Sequence, residues 1–264
     1  MANIIVLIPH YNNFKSLIKS IQSINENIEV DILIVDDGSQ QDKIEKEKIE
    51  KIYNIGKIFF DFLPQNRGIE FALNRGLQII ETMGYDLIGR LDCGDLCVEN
   101  RFTIQTQFLE KNKDIYLVGT WANVLNSKGA LEYVLKHPTQ HNVIKKLMYL
   151  NSMFVHPSVV FRSKVVKEVG YYPTTYKAAE DYAFFFNIAR KFKTANLPIP
   201  LLNYVIDENS ISSLKRKTQV KSRIRVILSN FYFGYYPVYG LLRNMFLFFI
   251  SRETSNFIKK HLMK

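Results

Sequence analysis

Cysteine is nearly absent: only Cys93 and Cys97 occur in 264 residues, too few for a disulfide scaffold or a thiolate zinc site. A reducing compartment fits this count. No Pro/Gly-rich or low-complexity tract interrupts a composition of 47% hydrophobic and 23% charged residues, which excludes disordered and collagen-like chains. The length suits one α/β unit or two smaller domains. MANIIVLIPHYNN at the N-terminus has no basic region followed by a long apolar stretch and a small-residue cleavage site. No secretion signal is read there, and the cytoplasmic side is expected. Familiar motifs are missing too: no GxGxxG follows the first apolar run, and there is no Walker loop, GxSxG elbow or HExxH. Nicotinamide binding, P-loop hydrolysis and zinc proteolysis are therefore without support.

Acidic residues are scarce in one region only. Residues 1–214 carry 24 Lys/Arg against 24 Asp/Glu, whereas residues 215–264 carry 11 against Glu253 alone. The formal charge of +10 thus belongs to the tail. Val226 to Leu242 carries no charge, and nine Phe/Tyr residues fall between Val226 and Ile250. Pro237, two glycines and Arg243 break this span, so it reads as a peripheral amphipathic attachment to an anionic membrane surface rather than a transmembrane helix. A helical lid on the rest of the chain or a homo-oligomer interface would use the same residues. Nucleic acid is disfavoured as a partner, because the basic charge is confined to an aromatic tail.

What is present is an alternation of apolar runs and amphipathic segments. IIVLIP at 4–9, DILIVDDGS at 31–39, IGKIFFDFL and YDLIGRLDCGD at 85–95 read as strands. Between them, Phe14, Leu17, Ile18, Ile21 and Ile24 keep helical spacing, and RGIEFALNRGLQIIETM forms a second helix. Further on, helices are expected after Glu99, over HNVIKKLMYLNSM, after SVVF and over AAEDYAFFFNIARKF at 178–192. IYLVGTWANVLN reads as a strand, and ANLPIPLLNYVID as an extended stretch interrupted by prolines. The pattern predicts an α/β, mostly parallel sheet flanked by helices, with ligands beyond the carboxyl ends of its strands.

Asp36, Asp37, Asp92 and Asp95 fall at that edge, where carboxylates could hold a divalent cation and, through it, phosphate oxygens. Acids beside Gly/Ser turns also serve simply to bond their own backbone. Arg67 could meet a phosphate or a base edge, or lie on plain surface. Glu180 and Asp181 open an apolar helix, where a carboxylate could act as general base to an alcohol or complement the helix dipole. His156 could be a ligand, a phosphate donor or a satisfied buried histidine.

The ordered set IPHYNN, ILIVDDGS, QNRGIEFALNRG, GRLDCGD with ENRFTIQTQF, VHPSVVFRSKVVKEVGYY and AAEDYAFFFNIARKF resembles the inverting family 2 glycosyltransferases of GT-A fold. Bacterial enzymes that build surface polysaccharide and lipooligosaccharide are the most similar. The resemblance covers about residues 3–212 and implies a GT-A, Rossmann-like catalytic domain over 1–212, with a helical extension over 213–264. It implies a UDP-sugar donor whose uracil or ribose meets Asp36 or Asp37, with Pro9 and Tyr11 lining that pocket and Arg67 near the nucleotide. It implies Asp92 against the ribose and a Mn²⁺- or Mg²⁺-bound diphosphate, with Asp95 as a second metal ligand. His156 is implied near the diphosphate or the acceptor, and the catalytic base at Asp181, with Glu180 beside it. The transferred sugar would be a hexose or N-acetylhexosamine. The acceptor would be a lipid-linked or lipooligosaccharide glycan at the inner face of the cytoplasmic membrane. Two departures stand out: Gly94 replaces the usual third-position metal ligand, and Val205 follows the tyrosine where an arginine is common. A non-catalytic nucleotide-sugar or glycan-binding protein with a degraded site is the alternative.

Overall fold

The structure, a computed structural model, describes residues 2–205 and 216–250. Strand β1 (Ile4–His10) is buried at every position, because the sheet is covered on both faces and each side chain meets a helix layer. Ile5 and Leu7 face one core, with Leu33 and Val35 of β2 (Asp31–Asp36) and Leu73 and Leu77 of α3 (Ile69–Met83). Ile4, Val6 and Ile8 face the other, with Leu17 of α1 (Phe14–Gln22), Ile49 of α2 (Lys46–Ile52) and Phe102 of α4 (Arg101–Lys111). The continuous apolar run and the helical 3–4 spacing are thus two halves of one three-layer packing. At Gly76 a Cβ would lie 2.2 Å from a Leu7 methyl, so α3 sits on β1 at a distance only glycine permits.

The remaining strands are β3 (Ile58–Phe62), β4 (Leu87–Arg90), β5 (Leu96–Cys97), β6 (Ile115–Leu125), β7 (Leu131–Leu135), β8 (Val160–Arg162) and β9 (Lys193–Val205). They form one sheet in the order β3-β2-β1-β4-β8-β6-β9-β5, with β7 paired to β6. The first four are parallel. Beyond β4 the sheet is mixed: β8 is antiparallel to both β4 and β6, β9 runs parallel to β6, and β5 and β7 add antiparallel edges. Chain order reverses at β1, between β2 and β4, which opens a crevice beyond their carboxyl ends. The proline-interrupted stretch is a single strand. Register shifts against β6 at Thr120/Trp121 and Trp121/Ala122 absorb Pro198 and Pro200 without ending the ladder.

Helices α5 (His141–Leu147), α6 (Lys164–Val169) and α7 (Glu180–Lys191) close the second half. The extension contributes α8 (Arg216–Ser229) and α9 (Tyr235–Phe249), while the expected boundary at 212/213 lies outside the described residues. Val226 and Ile227 of α8 are buried in the same core as α7. Ser222 Oγ donates to the Lys177 carbonyl at 2.8 Å and Tyr149 Oη to the Asn230 carbonyl at 2.8 Å. On α9, Gly240 lies against the Tyr149 carbonyl so closely that a Cβ would sit 2.1 Å from it. The inner faces of both helices therefore belong to the fold. The outer face of α9 presents Tyr235, Val238, Tyr239, Leu242, Phe246 and Phe249 to solvent, at the 3–4 spacing of one helical stripe. Among the described residues no helix is long and apolar enough to cross a membrane.

Candidate active site

The carboxyl ends of β1, β2 and β4 carry the first group of polar residues, and hydrogen bonds fix each of them. Asp36 accepts from the backbone N–H and Oγ–H of Ser39 at 3.0 and 2.6 Å. Its Oδ1 also lies 3.5 Å from His10 Nδ1. His10 Nε2 accepts the Asn13 N–H at 3.1 Å, which leaves Nδ1 to carry the ring proton towards Asp36 and Ser39. Burial lowers the pKa of His10, against the opposing pull of Asp36. Asp37 accepts the backbone N–H groups of Arg67 and Gly68, both at 2.9 Å, and burial pushes its pKa up. These carboxylates hold the loops around the crevice: Asp36 ties β2 to β1, and Asp37 ties β2 to the turn before α3. At Gly38 (φ +71°) a Cβ would lie 2.4 Å from the Gln65 backbone, so that turn is packed directly on the strand end. Pro9 pairs with Val35 beyond the last β1–β4 pair, Leu7 with Arg90, where its missing N–H costs β4 no bond. Tyr11 and Arg67 are exposed at the rim, and the Arg67 guanidinium stacks 4.2 Å from the centre of the Phe71 ring.

The second group centres on two arginines that sequence reading passed over. Arg90, fully buried at the end of β4, donates to the Leu7 carbonyl, to Asp92 Oδ1 at 2.5 Å and to His156 Nε2 at 3.4 Å. Arg101, also fully buried, donates to the carbonyls of Arg90 at 2.7 Å and Pro157 at 2.6 Å. It clamps the His156–Ser158 turn against β4. The readable signal was a charge inside GRLD, an otherwise apolar strand, since a buried guanidinium requires partners. Tyr172 Oη lies 3.0 Å from His156 Nε2, and burial followed by Arg90 lowers the histidine's pKa.

Asp92 remains accessible, its side chain 27% exposed, with Oδ2 4.0 Å from His156 Nδ1. Asp95 is turned away: it is buried, accepts the Val205 N–H at 3.0 Å, and has its pKa raised well above normal by burial and then by Asp92. Gly94 between them has φ +108°, and a Cβ there would meet only Ser16 Cβ, at an ordinary contact distance of 4.0 Å. Backbone conformation, not crowding, thus favours glycine at this position. Among the described residues no group of three or more His, Cys, Asp or Glu side chains could hold a metal ion.

The third group comes from the N-terminus of α7. Ala178, with φ +59°, turns the chain into the helix, and Asp181 Oδ1 accepts the Tyr182 N–H at 2.7 Å. Glu180 is pushed up to about 8, first by burial and then by the Asp181 charge. The charges of Asp92 and Asp181 both bear on His156, Tyr172 and Tyr204, so two acids from opposite halves of the chain act on the same three side chains. Arg223 of α8 is half-buried; burial lowers its pKa, and the Asp181 charge is the largest influence opposing that. The extension thereby acts electrostatically on the pair, an influence no local pattern announces.

A proton held by Glu180 links the pair to stability. Its native pKa lies above the usual 4.5, so the wild-type protein loses stability as pH rises from about 4.5 to about 8. Glu180→Gln removes that loss. Urea unfolding of this variant is expected to show a gain over wild type above the native pKa and none below the ordinary carboxylate range.

The Glycosyl transferase family 2 model matches residues 5–170, which include the strand ends and both arginines. The chain is a family 2 glycosyltransferase. It is 27% identical over 223 residues to an Escherichia coli UDP-Gal:α-D-GlcNAc-diphosphoundecaprenol β-1,3-galactosyltransferase, covering 82% of this chain and 77% of the relative. It is 26% identical over 251 residues to the amylovoran biosynthesis glycosyltransferase AmsE of Erwinia amylovora, covering 91% and 92%. Among solved structures it is similar to S. aureus TarS 1–349 in complex with UDP-GlcNAc (TM-score 0.71, 16% identity, 93% of this chain and 73% of that one). It is also similar to the Pyrobaculum calidifontis mannosyltransferase PcManGT in complex with GDP-Man and Mn²⁺ (TM-score 0.66, 11% identity, 99% and 80%). The likeness establishes the GT-A-like fold, and homologues of this glycosyltransferase belong to bacterial surface-polysaccharide biosynthesis.

Proposed function

We propose that this glycosyltransferase moves a hexose or N-acetylhexosamine from a UDP-sugar to a hydroxyl of a bacterial cell-surface glycan, with inversion. The observation that supports this reading is that Asp92, 4.0 Å from His156, and Asp181 from the other half of the chain both act electrostatically on His156, Tyr172 and Tyr204. A UDP-sugar donor is in keeping with the names of the E. coli galactosyltransferase and the UDP-GlcNAc complex of TarS. The Asp181 carboxylate takes the proton of the acceptor hydroxyl as its oxygen attacks the anomeric carbon. The bond to the diphosphate breaks on the opposite face, and UDP leaves with its electron pair. A single displacement of this kind inverts the configuration. With Glu180 neutral at pH 7, Asp181 is spared a second adjacent negative charge and is available as the base.

Asp92 is the residue that would hold a divalent cation, Mn²⁺ or Mg²⁺, since its Oδ2 is a hard oxygen donor and such ions commonly take one or two carboxylates alongside substrate phosphates. Bound there, the ion would neutralise charge on the departing diphosphate. Asp95 would support this site from behind. In the same reading, residues 1–212 carry catalysis and residues 213–264 attach the enzyme peripherally to the inner face of the cytoplasmic membrane. Support for attachment comes from the exposed aromatic stripe on α9 beside a basic, acid-free α8.

The test is calorimetry with UDP-, GDP-, CMP- and dTDP-sugars, with and without Mn²⁺ or Mg²⁺. Selective, cation-strengthened binding of one UDP-sugar is expected. No nucleotide-sugar binding in either condition would overturn the reading. Binding with no transfer across a full acceptor set would favour the non-catalytic alternative.

A further inference from the structure

Away from the active site, a cavity of about 640 Å³ opens where the C-terminal ends of α5 and α7 meet the turn between α8 and α9. Three cations line it: Lys145, Lys146 and Arg190. No Asp or Glu does. Arg190 donates to Asn230 Oδ1, which fixes one cation at the wall. Both lysines are exposed, and neither forms an ion pair with a carboxylate among the described residues. Their place in the last turn of α5 complements the dipole of that helix, but this does not account for a third cation arriving from α7 across a cavity.

Four aromatic residues, Tyr149, Phe186, Phe231 and Tyr232, share the lining with small and polar ones such as Ser229 and Asn230. Tyr232 is half exposed, and the adjacent Phe233 is 95% exposed. From there the stripe of Tyr235, Val238, Tyr239, Leu242, Phe246 and Phe249 continues along α9. A basic cavity thus opens at the foot of an exposed apolar face. Arg190 stands nine residues after Asp181 on α7, about 14 Å along the helix axis, so the cavity is separate from the catalytic cleft.

We infer that this cavity binds the phosphate of an anionic membrane lipid, with the acyl region beside the α9 stripe. Three cations without an acid select a phosphate oxyanion. The aromatic rim suits the interfacial depth at which a headgroup lies. A soluble phosphate ester would use the same cations but would have no use for the exposed stripe. This inference rests on the membrane-attachment reading above and adds to it a defined headgroup site, in place of diffuse attraction by the basic tail.

The experiment is co-sedimentation of the full chain with vesicles of phosphatidylcholine, alone or mixed with phosphatidylglycerol. Lys145→Gln/Lys146→Gln is expected to weaken binding to phosphatidylglycerol vesicles about tenfold while leaving thermal unfolding unchanged. Lys217→Gln/Lys221→Gln removes the same charge from exposed positions of α8 outside the cavity; the expected loss is about twofold, as for diffuse attraction. Equal losses in the two double variants would overturn the site. Displacement from phosphatidylglycerol vesicles by inorganic phosphate at constant ionic strength would assign the cavity to a soluble ligand and overturn the lipid. Leu242→Asp/Phe246→Asp tests the membrane face by itself, and unchanged binding by that variant would remove the attachment reading. Loss of binding by that variant, with binding intact in Lys145→Gln/Lys146→Gln, would remove the headgroup site alone.

Discussion

Asp181→Asn is expected to lower the turnover number by about 10³–10⁴-fold while leaving UDP-sugar affinity within roughly twofold. The amide keeps the shape of the side chain, and its oxygen still accepts the Tyr182 N–H that Asp181 Oδ1 accepts at 2.7 Å. The N-terminus of α7 is therefore preserved, and what disappears is the capacity to take a proton. Donor affinity is expected to survive, because the groups assigned to the nucleotide and diphosphate lie at the ends of β1, β2 and β4 rather than on α7. The measurement is initial rates with the donor found by calorimetry, together with direct donor binding by both proteins. Transfer within tenfold of wild type would remove Asp181 as the base. A parallel loss of donor affinity would mean that α7 is part of the donor pocket.

Glu180→Gln provides a useful contrast at the adjacent position. Glu180 is pushed up to about 8, so it is mostly neutral at pH 7, and glutamine mimics that neutral state. Activity near neutrality should change little in this variant, which separates the two acids by role.

Much of the N-terminal half of the molecule was legible in the sequence. IIVLIP and DILIVD are buried on both faces, and that requirement leaves an uninterrupted apolar run. The acids follow because the parallel strands end there. What the strand ends do was less legible, since a carboxylate facing a ligand and one tying down a loop look identical in sequence. Asp36 and Asp37 have backbone and hydroxyl partners within the chain, whereas Asp92 stays partly exposed with Oδ2 4.0 Å from His156. α2, with the sequence KEKIEKI, buries only Ile49, too little to generate a periodic signal. Pro198 and Pro200 read as interruptions of an extended stretch, and register shifts accommodate both within one strand. The approach of Arg223 to Asp181 joins residues more than forty positions apart, and it exists only because α8 folds back onto α7.

Arg90→Leu carries the largest expected structural effect. The guanidinium is fully buried and bonds the Leu7 carbonyl, Asp92 and His156. Leucine would strip Asp92 of its guanidinium partner and take one donor from the Leu7 carbonyl and from His156 Nε2, which keep the Leu91 N–H and Tyr172 Oη. With Asp92 partly exposed, the cost is about 1–3 kcal/mol. Chemical denaturation should register that loss as a lower midpoint at unchanged slope. Donor binding should weaken as well, because Asp92 would no longer be held at 2.5 Å from a fixed cation. Asp92→Asn in the Arg90→Leu background removes the uncompensated charge and should restore stability by about 1–2 kcal/mol, yet it should not restore donor binding or transfer. Stability and function then separate within one double-mutant cycle. The stability loss is assigned to the stranded carboxylate, and the functional loss to the missing negative charge at the strand end. Recovery of transfer in the double variant would show that Asp92 matters only as the partner of Arg90, and would remove it from the diphosphate site.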